Sequence, residues 1–86
     1  VFIIKKRKFM QVTFEDIQRM FNNIGRNDVN EASCDLVDED IIDSMDMMKL
    51  ILEIETFLGK NLDAKYIIPD NFKDFSSIKN MLENIE

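Results

Sequence analysis

The 86-residue chain is short and acidic, with a net charge of −6, one cysteine and no histidine. This composition excludes an internal disulfide, excludes Ser-His-Asp and Cys-His catalysis, and leaves a poor ligand set for zinc, so neither an enzyme nor a metal site is expected. Apolar residues make up 45% of the chain, as in a globular domain, and their runs are too short to cross a bilayer. We expect one domain in the reducing cytoplasm.

The negative charge is concentrated in the middle of the chain. Residues 35–55 contain eight acidic residues and a single base, Lys49. Nucleic acid would be repelled by this segment, whereas a protein with a basic patch would be attracted to it. We therefore expect protein partners and no nucleic acid.

The first nine residues differ in character from the rest. They begin with an apolar tetrapeptide and four bases, VFIIKKRK, and Met10 follows directly before a helical pattern. We interpret 1–9 as an expression leader or a disordered arm and 10–86 as the domain. An arm that contacts nucleic acid or a membrane surface is the alternative.

Periodicity and capping residues predict the helices in chain order. A first helix follows Thr13, which has Asp16 three residues on as a weak capping box, and stops near Gly25. A long acidic loop, 26–42, leads to a second helix from Ser44 to Leu58, where a glycine ends it. The apolar residues that follow one another at helical spacing in the first helix are Phe14, Ile17, Phe21 and Ile24.

The remaining chain predicts two further helical pieces. One short turn is expected near Pro69, and a last helix runs from about Ser76. Its apolar stripe consists of Ile78, Met81, Leu82 and Ile85. The predicted fold is all-α, a small four-helix bundle with three longer helices and one short helix.

The second helix has apolar residues on two faces. Met45, Met48 and Leu52 lie on the side away from its main stripe. A domain of this size has little left to cover them, which favours a partner-binding surface, and methionine side chains adapt well to several partners. Scattered exposed apolar residues, or cover by another segment, would explain the same pattern. The main stripe consists of Met47, Leu50, Ile51, Ile54, Phe57 and Leu58.

The start of the second helix reads Asp43-Ser44-Met45-Asp46. If Asp43 is the N-cap, Asp46 completes a short-armed capping box, whereas Met47 would stand in that place if Ser44 were the cap. The first arrangement leaves the Ser44 hydroxyl outside the helix, where a phosphate-linked group could be attached. A serine near a helix start is nevertheless most often a cap.

Residues 36–55 carry a family resemblance. Together, Leu36, the pair Ile41-Ile42, Asp43-Ser44-Met45 and the helical pattern that carries Glu55 and Phe57 resemble the phosphopantetheine attachment region of acyl and peptidyl carrier proteins. Downstream, Pro69 to Phe72 and Ser77-Ile78 look like the ending of free-standing peptidyl-type and D-alanyl-type carriers. The resemblance implies the four-helix bundle of the acyl carrier protein type.

The resemblance also implies a function without catalysis. Ser44, beside Asp43, would carry 4′-phosphopantetheine, transferred from coenzyme A by a magnesium-dependent phosphopantetheinyl transferase. An acyl- or amino-acid-activating ligase would load a thioester, and a downstream synthase or transferase of fatty acid or secondary metabolite biosynthesis would receive it. The carrier is expected to be a monomer. The implied partner surface is Met45, Asp46, Met48, Lys49, Leu52 and Glu55.

Two positions depart from the family pattern. Asp40 stands where a glycine usually precedes the paired apolar residues, which puts the conformation of the loop in question. Lys49 stands where many fatty-acid carriers have an acid, which weakens the case for fatty-acid synthesis. An alternative function is an unmodified acidic helical interaction module, which assigns no role to Ser44.

Overall fold

The structure, a computed structural model, describes residues 11–85. This part of the chain contains three α-helices. They are α1 (Phe14–Asn23), α2 (Ser44–Leu58) and α3 (Phe75–Glu83). Two short 3₁₀ helices, Ala64–Tyr66 and Pro69–Phe72, separate α2 from α3, and these described residues contain no strand. The all-helical prediction is confirmed.

The count of four helices is not confirmed. The predicted short helix is present as two separate 3₁₀ turns, because Ile67 and Ile68 leave the helical conformation between them. Pro69 starts the second turn, where its missing N–H costs nothing. The segment 1–9, predicted as a leader or arm, lies outside the described residues.

Helix α1 begins and ends where its sequence predicts. The Thr13 hydroxyl accepts a hydrogen bond from the backbone N–H of Asp16 at 3.1 Å, and the Asp16 carboxylate accepts one from the backbone N–H of Thr13 at 3.0 Å. The helix buries Ile17, Met20 and Phe21, and Gly25 follows it at a φ of +83°. A left-handed residue there lets the chain turn away from the helix at little cost.

Helix α3 starts one residue earlier than predicted. Asp74 is the N-cap, with its carboxylate accepting the backbone N–H of Ser77 at 2.8 Å, so Phe75 rather than Ser76 is the first helical residue. Phe75 is 1% exposed. Its ring stacks on Phe21 at a centroid distance of 5.5 Å and meets Phe14 edge-on at 5.8 Å, which joins α3 to α1.

The long connection from α1 to α2 is held by apolar anchors. Val29, Leu36 and Ile42 are all at most 3% exposed, within the same core as the helices. The backbone N–H of Leu36 donates to the carbonyl of Lys73 at 3.0 Å, which ties the loop to the approach to α3. These anchors explain how a loop of this length is accommodated, and they fix the entry of the chain into α2.

Acid is expected to destabilise the fold. The carboxylates of Asp16, Asp43 and Asp74 accept backbone N–H groups at helix starts, and these hydrogen bonds hold the pKa of each below its usual value. The unfolded chain therefore binds protons more readily than the folded chain in acid. Stability is present above the usual carboxylate pKa and is lost as the pH falls through the lower folded values.

We expect urea unfolding to give a constant free energy of unfolding between about pH 7 and pH 5 and a decline below about pH 4. The variant Asp74→Asn should show a shallower decline, since it removes one of the carboxylates responsible. Stability that rises on acidification would contradict this prediction.

Candidate functional site

A reciprocal capping box closes the start of α2. The Asp43 carboxylate accepts the backbone N–H of Asp46 at 2.8 Å, and the Asp46 carboxylate accepts the backbone N–H of Asp43 at 3.2 Å. Asp43 is thus the N-cap, and the alternative in which Ser44 caps the helix is wrong. The aspartate arms suffice for a box that more often uses serine or threonine with glutamate.

Ser44 is the first residue of α2 and is exposed. Its hydroxyl forms no hydrogen bond with any residue in the range 11–85. Asp43 and Met45, its neighbours in the chain, are exposed as well. The hydroxyl is therefore accessible to an enzyme that would modify it, and the helix does not depend on it.

Charged groups surround this helix start. The hydrogen bond from the Asp46 backbone holds the pKa of Asp43 below its usual range, and the nearby Arg26 guanidinium lowers it further. Arg26 also binds the Asp46 carboxylate directly through Nη1. Sequence reasoning gave Arg26 no role, since it lies 20 residues before Asp46 and only the path of the loop brings the two together.

The second apolar face of α2 is exposed as its sequence predicts. Met45, Met48 and Leu52 are 59%, 64% and 63% exposed, respectively, while Leu50 and Ile54 on the main stripe are fully buried. Apolar side chains grouped on one helix face are a common feature of protein interaction surfaces. That this face binds a partner remains a prediction.

The three polar residues predicted for the same surface have different surroundings. Lys49 is exposed and forms no ion pair within the described part of the chain. Asp46 is engaged by Arg26 and the capping box, and Glu55 accepts the backbone N–H of Leu62 at 2.8 Å. Both carboxylates thus have structural partners, so Lys49 is the member of the three whose charged group is free to meet another protein.

Asp40 has the backbone conformation that glycine favours. Its φ is +54°, in the left-handed region that glycine enters without strain. Aspartate enters this region more readily than most residues. The turn delivers Ile42 to the core, since the backbone N–H of Ile42 donates to the carbonyl of Leu36 at 3.0 Å.

We expect Asp40→Gly to unfold in urea with a free energy within about 1 kcal/mol of the parent, and Asp40→Val to lose about 1–2 kcal/mol, because a β-branched residue is strained in the left-handed region. Asp38 is the control, since its φ is not positive. There, valine should be tolerated better than glycine. The same ranking of valine and glycine at both positions would contradict the prediction.

The acidic loop and helix start do not assemble a metal centre. Within 11–85, no group of three or more Asp, Glu or Cys side chains is placed so that it could hold a metal ion. The helices of this region are likewise too short or too polar for one of them to span a membrane. Cys34 is an exposed free thiol.

Fold and site together define a small all-helical protein in which one capped helix presents a free serine hydroxyl at its start and an apolar face along its side. Comparisons with protein-family models, with curated proteins and with solved structures find no match for this chain.

Proposed function

We propose that this chain is a carrier protein that holds an acyl or aminoacyl group as a thioester on a 4′-phosphopantetheine arm attached to Ser44. The observation that carries the proposal is the division of roles at the start of α2, where Asp43 caps the helix and the Ser44 hydroxyl is left free. The resemblance of residues 36–55 to the attachment region of carrier proteins supplies the identity of the group.

The residues around Ser44 fit such an arm. The hydroxyl is exposed and unbonded within 11–85, so it can enter the active site of a transferase without disturbing the helix. When attached, the arm supplies the thiol on which the cargo is held. Asp43 stays anionic at neutral pH and is exposed, so it can help a magnesium-dependent phosphopantetheinyl transferase to hold its metal ion.

The exposed face of α2 would present the cargo to partner enzymes. These are an activating ligase and a downstream synthase or transferase, in the cytoplasm, with the carrier acting as a monomer and performing no catalysis. Met45, Met48 and Leu52 are exposed on the helix that starts with Ser44 and offer an adaptable apolar contact. Such contacts are small and electrostatically steered, because a carrier must release each enzyme in turn.

In this proposal the three α-helices and the two 3₁₀ turns together form the bundle of a carrier of the acyl carrier protein type. The Lys49 ammonium on the docking face, in place of an acid, favours a specialised acyl or aminoacyl carrier over one of fatty-acid synthesis.

The alternative is an unmodified helical interaction module. The exposed face of α2 supports it equally, but this alternative leaves the free hydroxyl of Ser44 without a purpose.

Incubation of the full chain with coenzyme A, magnesium and a broad-specificity phosphopantetheinyl transferase separates the two functions. Mass spectrometry of the intact protein should show the gain of one phosphopantetheine group, and fragmentation should locate it on Ser44. An unchanged mass, or a group on another residue, would overturn the carrier proposal and favour the interaction module.

A further inference from the structure

Both backbone polar groups of Arg26, its N–H and its carbonyl, form hydrogen bonds. Its N–H donates to the carbonyl of Phe21 at 2.8 Å, and its carbonyl accepts the N–H of Val29 at 3.2 Å. Its side chain is only 22% exposed although it lies in a loop. The direction of the guanidinium is therefore set by the fold and does not depend on a flexible surface segment.

The guanidinium uses all three of its nitrogens. Nε and Nη2 donate to the two carboxylate oxygens of Asp28, each at 3.0 Å, which is the two-pronged geometry that fixes the plane of an arginine. Nη1 is then directed at Asp46 Oδ2, at 2.5 Å. Asp28 thus holds the Arg26 guanidinium in the orientation in which it contacts Asp46 in the first turn of α2.

Asp46 passes this constraint to the residue before Ser44. The same Oδ2 atom that accepts from Arg26 also accepts the backbone N–H of Asp43, and the Asp46 side chain is only 15% exposed. A continuous set of hydrogen bonds therefore runs from Asp28 through Arg26 and Asp46 to Asp43. Ser44 lies inside the closed turn formed by its last two members.

Arg26 also changes the charge that an incoming anion meets. Asp43 and Asp46 together would repel the phosphates of coenzyme A and the phosphodiester that forms on the serine. Arg26 contacts Asp46 and lowers the pKa of Asp43 by its charge, so its cation lies close enough to offset part of this repulsion.

We infer that Arg26 is a positioning residue for the modification of Ser44, acting through Asp46; this inference rests on the proposed carrier function. It holds the capping box in the geometry that presents the hydroxyl, and it reduces the repulsion of the anionic donor. Arg26 itself need not touch the transferase or coenzyme A.

The test is the steady-state rate of modification by the transferase, with coenzyme A as donor, for Arg26→Gln and Arg26→Lys. We expect the glutamine variant to lose roughly tenfold in kcat/KM, mainly in kcat, because the hydroxyl is misplaced while the docking face is intact. The lysine variant should be intermediate, because it retains the cation but not the fork that binds Asp28 and Asp46 together.

Asn23→Ala is the matched control for a purely structural role. Asn23 Nδ2 donates to Glu53 Oε1 at 2.8 Å, so it also ties the end of α1 to α2, but two turns beyond Asp46. This variant should be modified at the parent rate, with circular dichroism confirming that every variant is folded at the assay temperature. Equal losses in Asn23→Ala and Arg26→Gln would overturn the inference.

The double variant Arg26→Gln/Asp46→Asn tests whether Arg26 acts through Asp46. Its modification rate should be no lower than that of the slower of the two single variants, Arg26→Gln and Asp46→Asn. If the two residues acted independently, their losses of rate would multiply in the double variant. If the parent is modified and Arg26→Gln is modified at the same rate, the inferred role of Arg26 is overturned and the carrier function stands. A parent that is not modified would overturn the carrier function and this inference together.

Discussion

Replacing Ser44 by alanine is expected to abolish attachment of the phosphopantetheine arm completely and to leave the fold unchanged. The substitution removes the hydroxyl oxygen to which the arm is joined in the proposed carrier. It removes no hydrogen bond within 11–85, because Asp43 caps α2. The free energy of unfolding, measured in urea, should stay within about 0.5 kcal/mol of the parent, as for other exposed positions.

Two controls distinguish this result from a general effect at helix starts. Ser76 is an exposed serine in the first turn of α3, and Ser76→Ala should be modified like the parent. Asp43→Ala should be less stable than the parent, because it removes the carboxylate that accepts the Asp46 N–H. If Ser44→Ala lost stability as a capping variant does, the serine would be structural and the assignment of the site would be wrong.

Replacing Phe75 by alanine is expected to cost about 3–5 kcal/mol of stability, the range observed when a buried aromatic ring is removed. Phe75 is 1% exposed, and its ring contacts both Phe21 and Phe14 of α1. A domain of this size has a total stability near the lower end of about 5–15 kcal/mol, so much of the population could unfold. Urea or thermal unfolding followed by circular dichroism measures the loss.

Phe57 provides the matched comparison, because the same ring is only half-buried there, at the end of α2. Phe57→Ala should cost less than half as much as Phe75→Ala, since less apolar surface is withdrawn from water at that position. Equal losses at the two positions would show that the stacked rings are not the centre of the core.

The helices were predictable because their signals are local. Thr13, Asp43 and Gly59 mark helix ends through contacts with residues at most four positions away, and apolar spacing shows which face is buried. The start of α3 was missed by one residue. Aspartate and serine are both residue types that commonly cap helices, so the sequence leaves Asp74 and Ser76 as candidates. The structure has Asp74 as the N-cap and Phe75, buried against α1, as the first helical residue.

In the candidate site, too, the features set by local sequence could be predicted and those set by tertiary contacts could not. The free hydroxyl of Ser44 follows from the comparison of Asp46 with Met47 three residues beyond each possible cap, and this comparison needs no tertiary information. The role of Arg26 depends on the path of a long loop, and the contact of Glu55 with the backbone of Leu62 depends on how the chain leaves α2. No local pattern in the sequence indicates either contact.

The methionines that form the exposed face of α2 have a chemical consequence. Met45 and Met48 are more than half exposed, whereas Met20 and Met81 are at most 4% exposed in the core. Peroxide would reach the two surface thioethers first and convert them to polar sulfoxides. Mild oxidative damage would therefore alter the face of α2 while the packing of the helices stayed intact, and a methionine sulfoxide reductase could reverse it.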